Sequence, residues 1–172
     1  ALIVRKEKGR LRNYFHIGTG NYNSNTSKFY TDLGLLSTDP EIASDLLELF
    51  NYLSGFSKQK SYQKLLVSPS SMRKKFIFLI KREIKNAEEG KKAEIIAKMN
   101  SLVDPEIINL LYLASDSGVK ISLIVRGICC LYPQRKNLSE NIKVKSIIGH
   151  FLEHSRIFWF CNNGDNEVFI GS

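Results

Sequence analysis

Residues Ala93 to Gly127 read AEIIAKMNSLVDPEIINLLYLASDSGVKISLIVRG, and this stretch decides the fold. Lys120 to Val125 is a short β-branched run ending on Arg126 and Gly127, which reads as a strand. Before it, Asp104 and Pro105 open a helix through Leu110, Leu111 and Ala114, and Gly118 closes it. Ala93 to Met99 suits helix or strand by periodicity alone. It is read as a strand because it lies between two well-capped helices and has the length of a buried one. Working upstream, Met72, Phe76, Leu79, Ile80, Ile84 and Ala87 make a helical stripe that stops before Gly90, and Leu65 to Val67 reads as a short strand ahead of Pro69 and Ser70. The order β-α-β-α-β predicts parallel strands with right-handed crossovers and helices on the sheet faces. Downstream, Val144 to Ile148, Ile157 to Phe160 and Glu167 to Ile170 read as further strands, with an Asn163-Gly164 turn. The fold class is therefore α/β with a mixed sheet.

The first third follows other rules. Ala1 to Arg5 and Asn13 to Ile17 read as strands about a charged turn, Lys6 to Arg10, that contains Gly9. A polar, glycine-containing loop, Gly18 to Thr26, follows. Asp39 as cap and Pro40 in the first turn open a helix that places Ile42, Leu46, Leu49, Phe50 and Leu53 on one face, and Ser54 and Gly55 end it. Phe56 to Lys64 has no apolar period and reads as a linker. The chain starts within an apolar strand and stops at Gly171-Ser172 directly after another, so partners are expected on both sides.

The 172 residues are 43% hydrophobic, enough for a real core. No run of about 18 apolar residues is present, and Ala1 to Arg12 alternates apolar with basic residues, unlike a signal peptide. Cys129, Cys130 and Cys161 lack metal-ligand spacing, and an odd count with a vicinal pair speaks against a disulfide framework and for a reducing cytoplasm. The vicinal pair reads as buried packing. Lysine and arginine outnumber acids 25 to 17, a net charge of +8, with a pI near 9.4. Anionic partners follow: nucleotides, phosphate chains, nucleic acid or acidic lipid. The basic residues are dispersed over Arg5–Arg12, Lys58–Lys64, Arg73–Lys85 and Arg135–Lys145, mostly as solvated faces.

Three places can carry chemistry. Gly18-Thr19-Gly20-Asn21 ends a strand; its glycines admit a ligand to the backbone, and Thr19 and Asn21 add donors. A glycine pair after a strand is by itself usually a turn. Arg126 stands at the carboxyl end of a parallel strand, where open α/β sheets bind ligands, and a guanidinium there suits phosphate. Its bland alternative is a structural ion pair. His154 and Arg156 lie two apart on an extended segment, so both can reach one phosphoryl group. His16 and His150 read as structural.

A histidine-x-basic pair, a strand and a closing glycine-serine turn resemble half of the phospholipase D signature, with Arg156 in place of lysine and Cys161 near the expected aspartate. The blocks Tyr14–Asn23, Phe29–Asp32, Lys98–Asp104, Val125–Cys129, Leu138–Ile142 and Phe151–Arg156 resemble, in family order, the C-terminal part of the long, phospholipase-D-like polyphosphate kinases. The resemblance implies a phospholipase-D-like mixed sheet with flanking helices, incomplete at both ends. Residues 1–56 would then end a first catalytic subdomain and 57–172 form most of a second. It implies reversible transfer of the terminal phosphoryl group of ATP to polyphosphate through a phosphohistidine outside this chain, which alone is expected to be inactive. By position Tyr30 matches the family's nucleotide-contacting tyrosine, Arg126 its phosphate-binding arginine and His154 its second active-site histidine. In that role a protonated His154 would assist the leaving oxygen, while Arg126 and Arg156 supply fixed positive charge. Magnesium is implied with ligands upstream, so no metal residue is assigned in this chain. ATP or ADP and polyphosphate are the implied partners, the parent a cytoplasmic homo-oligomer with room for peripheral membrane association. Tyr30 beside Phe29 has core packing as its alternative, and Lys98 and Asn100 have no role that their position derives.

Two other readings compete. A nucleic-acid-binding module fits +8 with interspersed aromatics, but needs aromatics alternating with basic residues on an exposed face, whereas most aromatics in this chain lie in apolar stripes. A phosphodiesterase on the same scaffold is the other, since fold alone does not fix reaction.

Overall fold

A computed structural model describes residues 1–58 and 61–171. Its elements in chain order are β1 (Leu2–Glu7), β2 (Arg10–Gly18), a 3-10 turn Thr26–Phe29, β3 (Tyr30–Thr31), β4 (Gly34–Ser37), α1 (Pro40–Leu53), α2 (Met72–Glu88), β5 (Glu94–Met99), α3 (Pro105–Asp116), β6 (Lys120–Val125), β7 (Ile142–Lys145), β8 (Leu152–Glu153), β9 (Arg156–Phe160), a 3-10 turn Asn162–Gly164 and β10 (Glu167–Gly171). They form two compact units, Ala1–Ile17 with Gly34–Lys75, and Gly18–Leu33 with Phe76 onward. Among the described residues no helix is long and apolar enough to cross a membrane.

In the first unit β1 and β2 pair antiparallel, and the sheet order is β1-β2-β4. The strands run closer to the turn than the sequence predicts, because Lys8 and Gly9 both take positive φ (47° and 80°) and make a two-residue hairpin whose twist matches the strands. Asp39 caps α1 by accepting from the Ile42 N–H at 2.9 Å. The buried face of α1 is Ala43, Asp45 and Leu46, packed with Phe15, Leu2, Ile17, Ile42 and Leu65. Phe50 and Leu53 of the expected stripe are exposed. Leu65 to Val67 is not a strand. The Asp45 carboxylate takes the N–H groups of Gln63 (3.0 Å), Lys64 (2.6 Å) and Leu65 (2.9 Å) instead, which satisfies that backbone without a ladder. The expected linker 56–64 includes Gln59 and Lys60, which lie outside the described residues, as does Ser172 of the Gly171-Ser172 pair.

In the second unit five strands are ordered β10-β9-β5-β6-β7. β5, β6 and β7 are parallel, and β9 is antiparallel to both β5 and β10. The mixed sheet is thus as read, but with no strand at 65–67 the helical order begins at α2. Asp104 caps α3 through the Glu106 and Ile107 N–H groups. Ile95 and Ala97 of β5 and Ile121, Leu123 and Val125 of β6 are buried with Leu79 and Ile80 of α2 and Ile108, Leu111 and Ala114 of α3 in one core. Phe76 joins it against Phe158, Phe160 and Phe169. Alternation along the strand sends Ile96 and Lys98 to the opposite side, where Ile96 is exposed. β7 covers Ile142–Lys145, so it starts earlier than the expected strand and stops before Ser146. The Asn-Gly turn is a 3-10 turn with positive φ at Asn162, Asn163 and Gly164, a conformation that asparagine tolerates better than most side chains.

Buried Glu83 ties this unit together. Its carboxylate accepts from the Glu94 N–H at 3.3 Å, the Asn162 N–H at 3.0 Å and Arg82 Nη2 at 3.2 Å. Arg82 also pairs with Glu167 of β10. Cys129 is half-buried and Cys130 exposed, so the vicinal pair is not the buried packing expected; Cys161 is the buried cysteine.

Candidate functional site

The second unit gathers Tyr30, Arg126, His154 and Arg156 at the ends of its strands. β3 and β8 are too short to be seen in any periodic window, yet their parallel pairing sets Tyr30 opposite Leu152 and Thr31 opposite Glu153. The His154 N–H then donates to the Thr31 carbonyl at 3.3 Å. This register stacks the Tyr30 ring on the His154 imidazole, centroids 4.9 Å apart and planes 14° apart. Arg126 follows β6, held by its N–H to the Met99 carbonyl at 3.2 Å, and its Nη1 donates to the Glu153 carbonyl at 3.0 Å. Arg156 opens β9 opposite Gly171; its Nη1 lies 3.2 Å from His154 Nε2 and 3.0 Å from the His154 carbonyl.

A guanidinium has donors only. His154 Nε2 must therefore be the acceptor, and the ring proton of the neutral imidazole sits on Nδ1. Among the described residues Nδ1 is buried without a hydrogen-bond partner, so this N–H remains to be used. Burial, then the charges of Arg156 and Arg126, hold the His154 pKa below the ordinary histidine value, against the opposite pull of Asp32. The protonated histidine expected from the sequence is thus disfavoured until an anion arrives to offset the two guanidinium charges.

The glycine loop serves the site differently from the sequence expectation. Thr19 is fully buried, its Oγ1 accepting from the Leu33 N–H at 2.9 Å, so it braces the loop and presents no donor to solvent. A Cβ on Gly20 would collide with the Asp32 carboxylate; the glycine admits a side chain of its own unit. Exposed Asn21 accepts from the Asn23 N–H at 2.8 Å through Oδ1, leaving its amide donors outward. His150 is exposed and meets Phe151 edge-on. His16 approaches Gly34, where a Cβ would meet Nε2 at 2.5 Å. Neither belongs to the cluster.

Lys98, which the sequence left without a role, forms a half-buried ion pair of 2.6 Å with Glu153 beside it. No local pattern announces a pair so far apart in the chain. Among the described residues no group of three or more His, Cys, Asp or Glu side chains is arranged to hold a metal ion.

Residues 65–172 match the family described as polyphosphate kinase C-terminal domain 2, and residues 1–59 that described as polyphosphate kinase C-terminal domain 1. Curated relatives include a polyphosphate kinase of Prochlorococcus marinus (strain MIT 9313), 67% identical over 99% of this chain and 24% of that protein. One of Synechocystis sp. is 57% identical over the same shares, and one of Dictyostelium discoideum 53% identical over 100% of this chain and 16% of that protein. The crystal structure of polyphosphate kinase from Porphyromonas gingivalis superposes with a TM-score of 0.86 at 40% identity, covering 98% of this chain and 28% of that one. The chain spans about a quarter of the length of most of these curated relatives.

Proposed function

The chain belongs to the polyphosphate kinase family, over both of its C-terminal domains, and we propose that it supplies the nucleotide- and phosphate-gripping side of an ATP:polyphosphate phosphotransferase. Tyr30 contacts the nucleotide, Arg126 and Arg156 hold the phosphoryl oxygens, and His154 donates to them. The phosphohistidine of the reaction lies outside these residues. The observation that carries this reading is the His154 ring set between Tyr30 and Arg156, with its Nδ1–H buried and unpaired.

Phosphoryl transfer through a loose transition state asks the protein for position and positive charge more than for covalent chemistry. Two guanidinium groups near one imidazole meet that requirement. Alone they disfavour its protonation; phosphate oxygens bound between them would offset their charge and favour it. Thr19 keeps the loop ahead of Tyr30 in place, and the amide of Asn21 reaches for phosphate. When bound, magnesium would neutralise phosphate charge, with ligands upstream of this chain as the family resemblance implies. A reaction that draws on ATP suits a cytoplasmic protein.

Competition separates this reading from nucleic-acid binding. In the full-length protein carrying this chain, polyphosphate should displace bound ATP, single-stranded DNA at equal phosphate concentration should not, and Arg126→Ala should weaken ATP binding by on the order of 10-fold. Displacement by DNA and not by polyphosphate would overturn it.

A further inference from the structure

Glu153, His154, Ser155 and Arg156 run extended, so alternate side chains point to opposite sides. His154 and Arg156 face each other on one side. On the other, Lys98 Nζ lies 2.6 Å from Glu153 Oε2 and donates to Ser155 Oγ at 2.6 Å. The Lys98 and Glu153 side chains are only 14% and 20% exposed, and Ser155 is buried. Lys98 therefore grips the residue before and the residue after His154 from the central strand β5. Arg126, directly after β6, donates to the Glu153 carbonyl and holds the same peptide. Packing alone does not require an ammonium at this position. A methionine would fill the volume, yet would leave a half-buried carboxylate without its counter-charge and Ser155 without its donor.

We propose that Lys98 is a positioning residue for His154, acting through Glu153 and Ser155 to fix the angle at which the imidazole meets the phosphoryl group; this rests on the reading of His154 as an active-site residue. Lys98 suits the task because a compact ammonium can serve two acceptors in different directions, whereas a planar guanidinium is built for one flat partner. Glu153 is there so that the cation gripping the peptide adds no net positive charge to a ring that already faces Arg126 and Arg156, with Asp32 as the remaining anion.

The test uses the full-length protein with Lys98→Met, Glu153→Gln, the double variant and His154→Ala as reference. Lys98→Met should lower kcat by roughly 10-fold to 100-fold with the KM for ATP within about twofold, since a misplaced group costs rate more than substrate binding. NMR titration of the His154 ring reads the clamp without activity. Its midpoint should rise in Lys98→Met, where the carboxylate is uncompensated, fall in Glu153→Gln, where the ammonium is, and return toward wild type in the double variant. Shifts in the same direction in both single variants, or a kcat for Lys98→Met within about twofold of wild type, overturn the proposal. If Lys98→Met does not fold, Glu153→Gln decides: an unmoved His154 midpoint overturns the clamp. An unchanged rate in His154→Ala would instead overturn the reading of the site, and the titration would still judge the clamp.

Discussion

Replacing His154 by alanine in the full-length protein should lower polyphosphate synthesis by about 100-fold or more, because in the proposed role it removes a positioned donor from the moving phosphoryl group. Tyr30 loses its stacking partner and Arg156 an acceptor in the same change, so ATP binding should weaken too, but by less. The pH dependence has a definite sign. Unfolded, the imidazole takes its proton near about 6.5; folded, it does so only at lower pH because of burial and of Arg156 and Arg126. The unfolded chain therefore binds protons first, so this group leaves stability intact above that value and erodes it as pH falls below, until the folded form protonates as well. A bound polyanion should reverse the shift. Polyphosphate binding should take up protons near neutral pH and tighten as pH is lowered, and His154→Ala should abolish that uptake. Calorimetry in buffers of different ionisation enthalpy measures it; equal proton uptake in wild type and variant would rule the role out.

Glu83→Ala should destabilise the second unit by about 3–5 kcal/mol, the cost of breaking a buried charged network by removing one partner. The variant removes the acceptor of the Glu94 and Asn162 N–H groups and leaves Arg82 paired with Glu167. Glu83→Gln keeps the volume and one acceptor oxygen, so it should cost clearly less. Urea unfolding followed by the fluorescence of Trp159, which lies in β9 of this unit, measures both. A loss below about 1 kcal/mol for Glu83→Ala would mean that the network is not what ties α2 to the sheet.

β5, α3 and β6 were legible because their signals are local: Asp104-Pro105 at a helix start, Gly118 at its end, and apolar runs of strand length. Leu65 to Val67 misled because an apolar triplet can be buried without a ladder. Leu65 packs on the first unit's core while its N–H goes to Asp45. β3 and β8, two residues each, leave no periodic trace, yet they bring Tyr30 to His154. Arg126, His154 and Arg156 stood out beforehand by their chemistry and position, whereas Tyr30 was singled out through the family resemblance alone. Thr19 did too, but its hydroxyl is spent inside the loop. The supporting ion pair did not stand out, because Lys98 and Glu153 lie on different strands and meet only through the fold. Glu83 was hidden for the opposite reason: it falls on a stripe of apolar neighbours and reads as an ordinary surface acid until its backbone partners are seen.

The most direct measurement follows label from γ-labelled ATP into protein and acid-insoluble polymer, comparing the full-length protein with residues 1–172 alone. Label should appear on the full-length protein and in polymer, and none on the 172-residue chain. Label on that chain itself would place the nucleophile within it, with His154 the first suspect, and would contradict the supporting role of His154, Arg126 and Arg156.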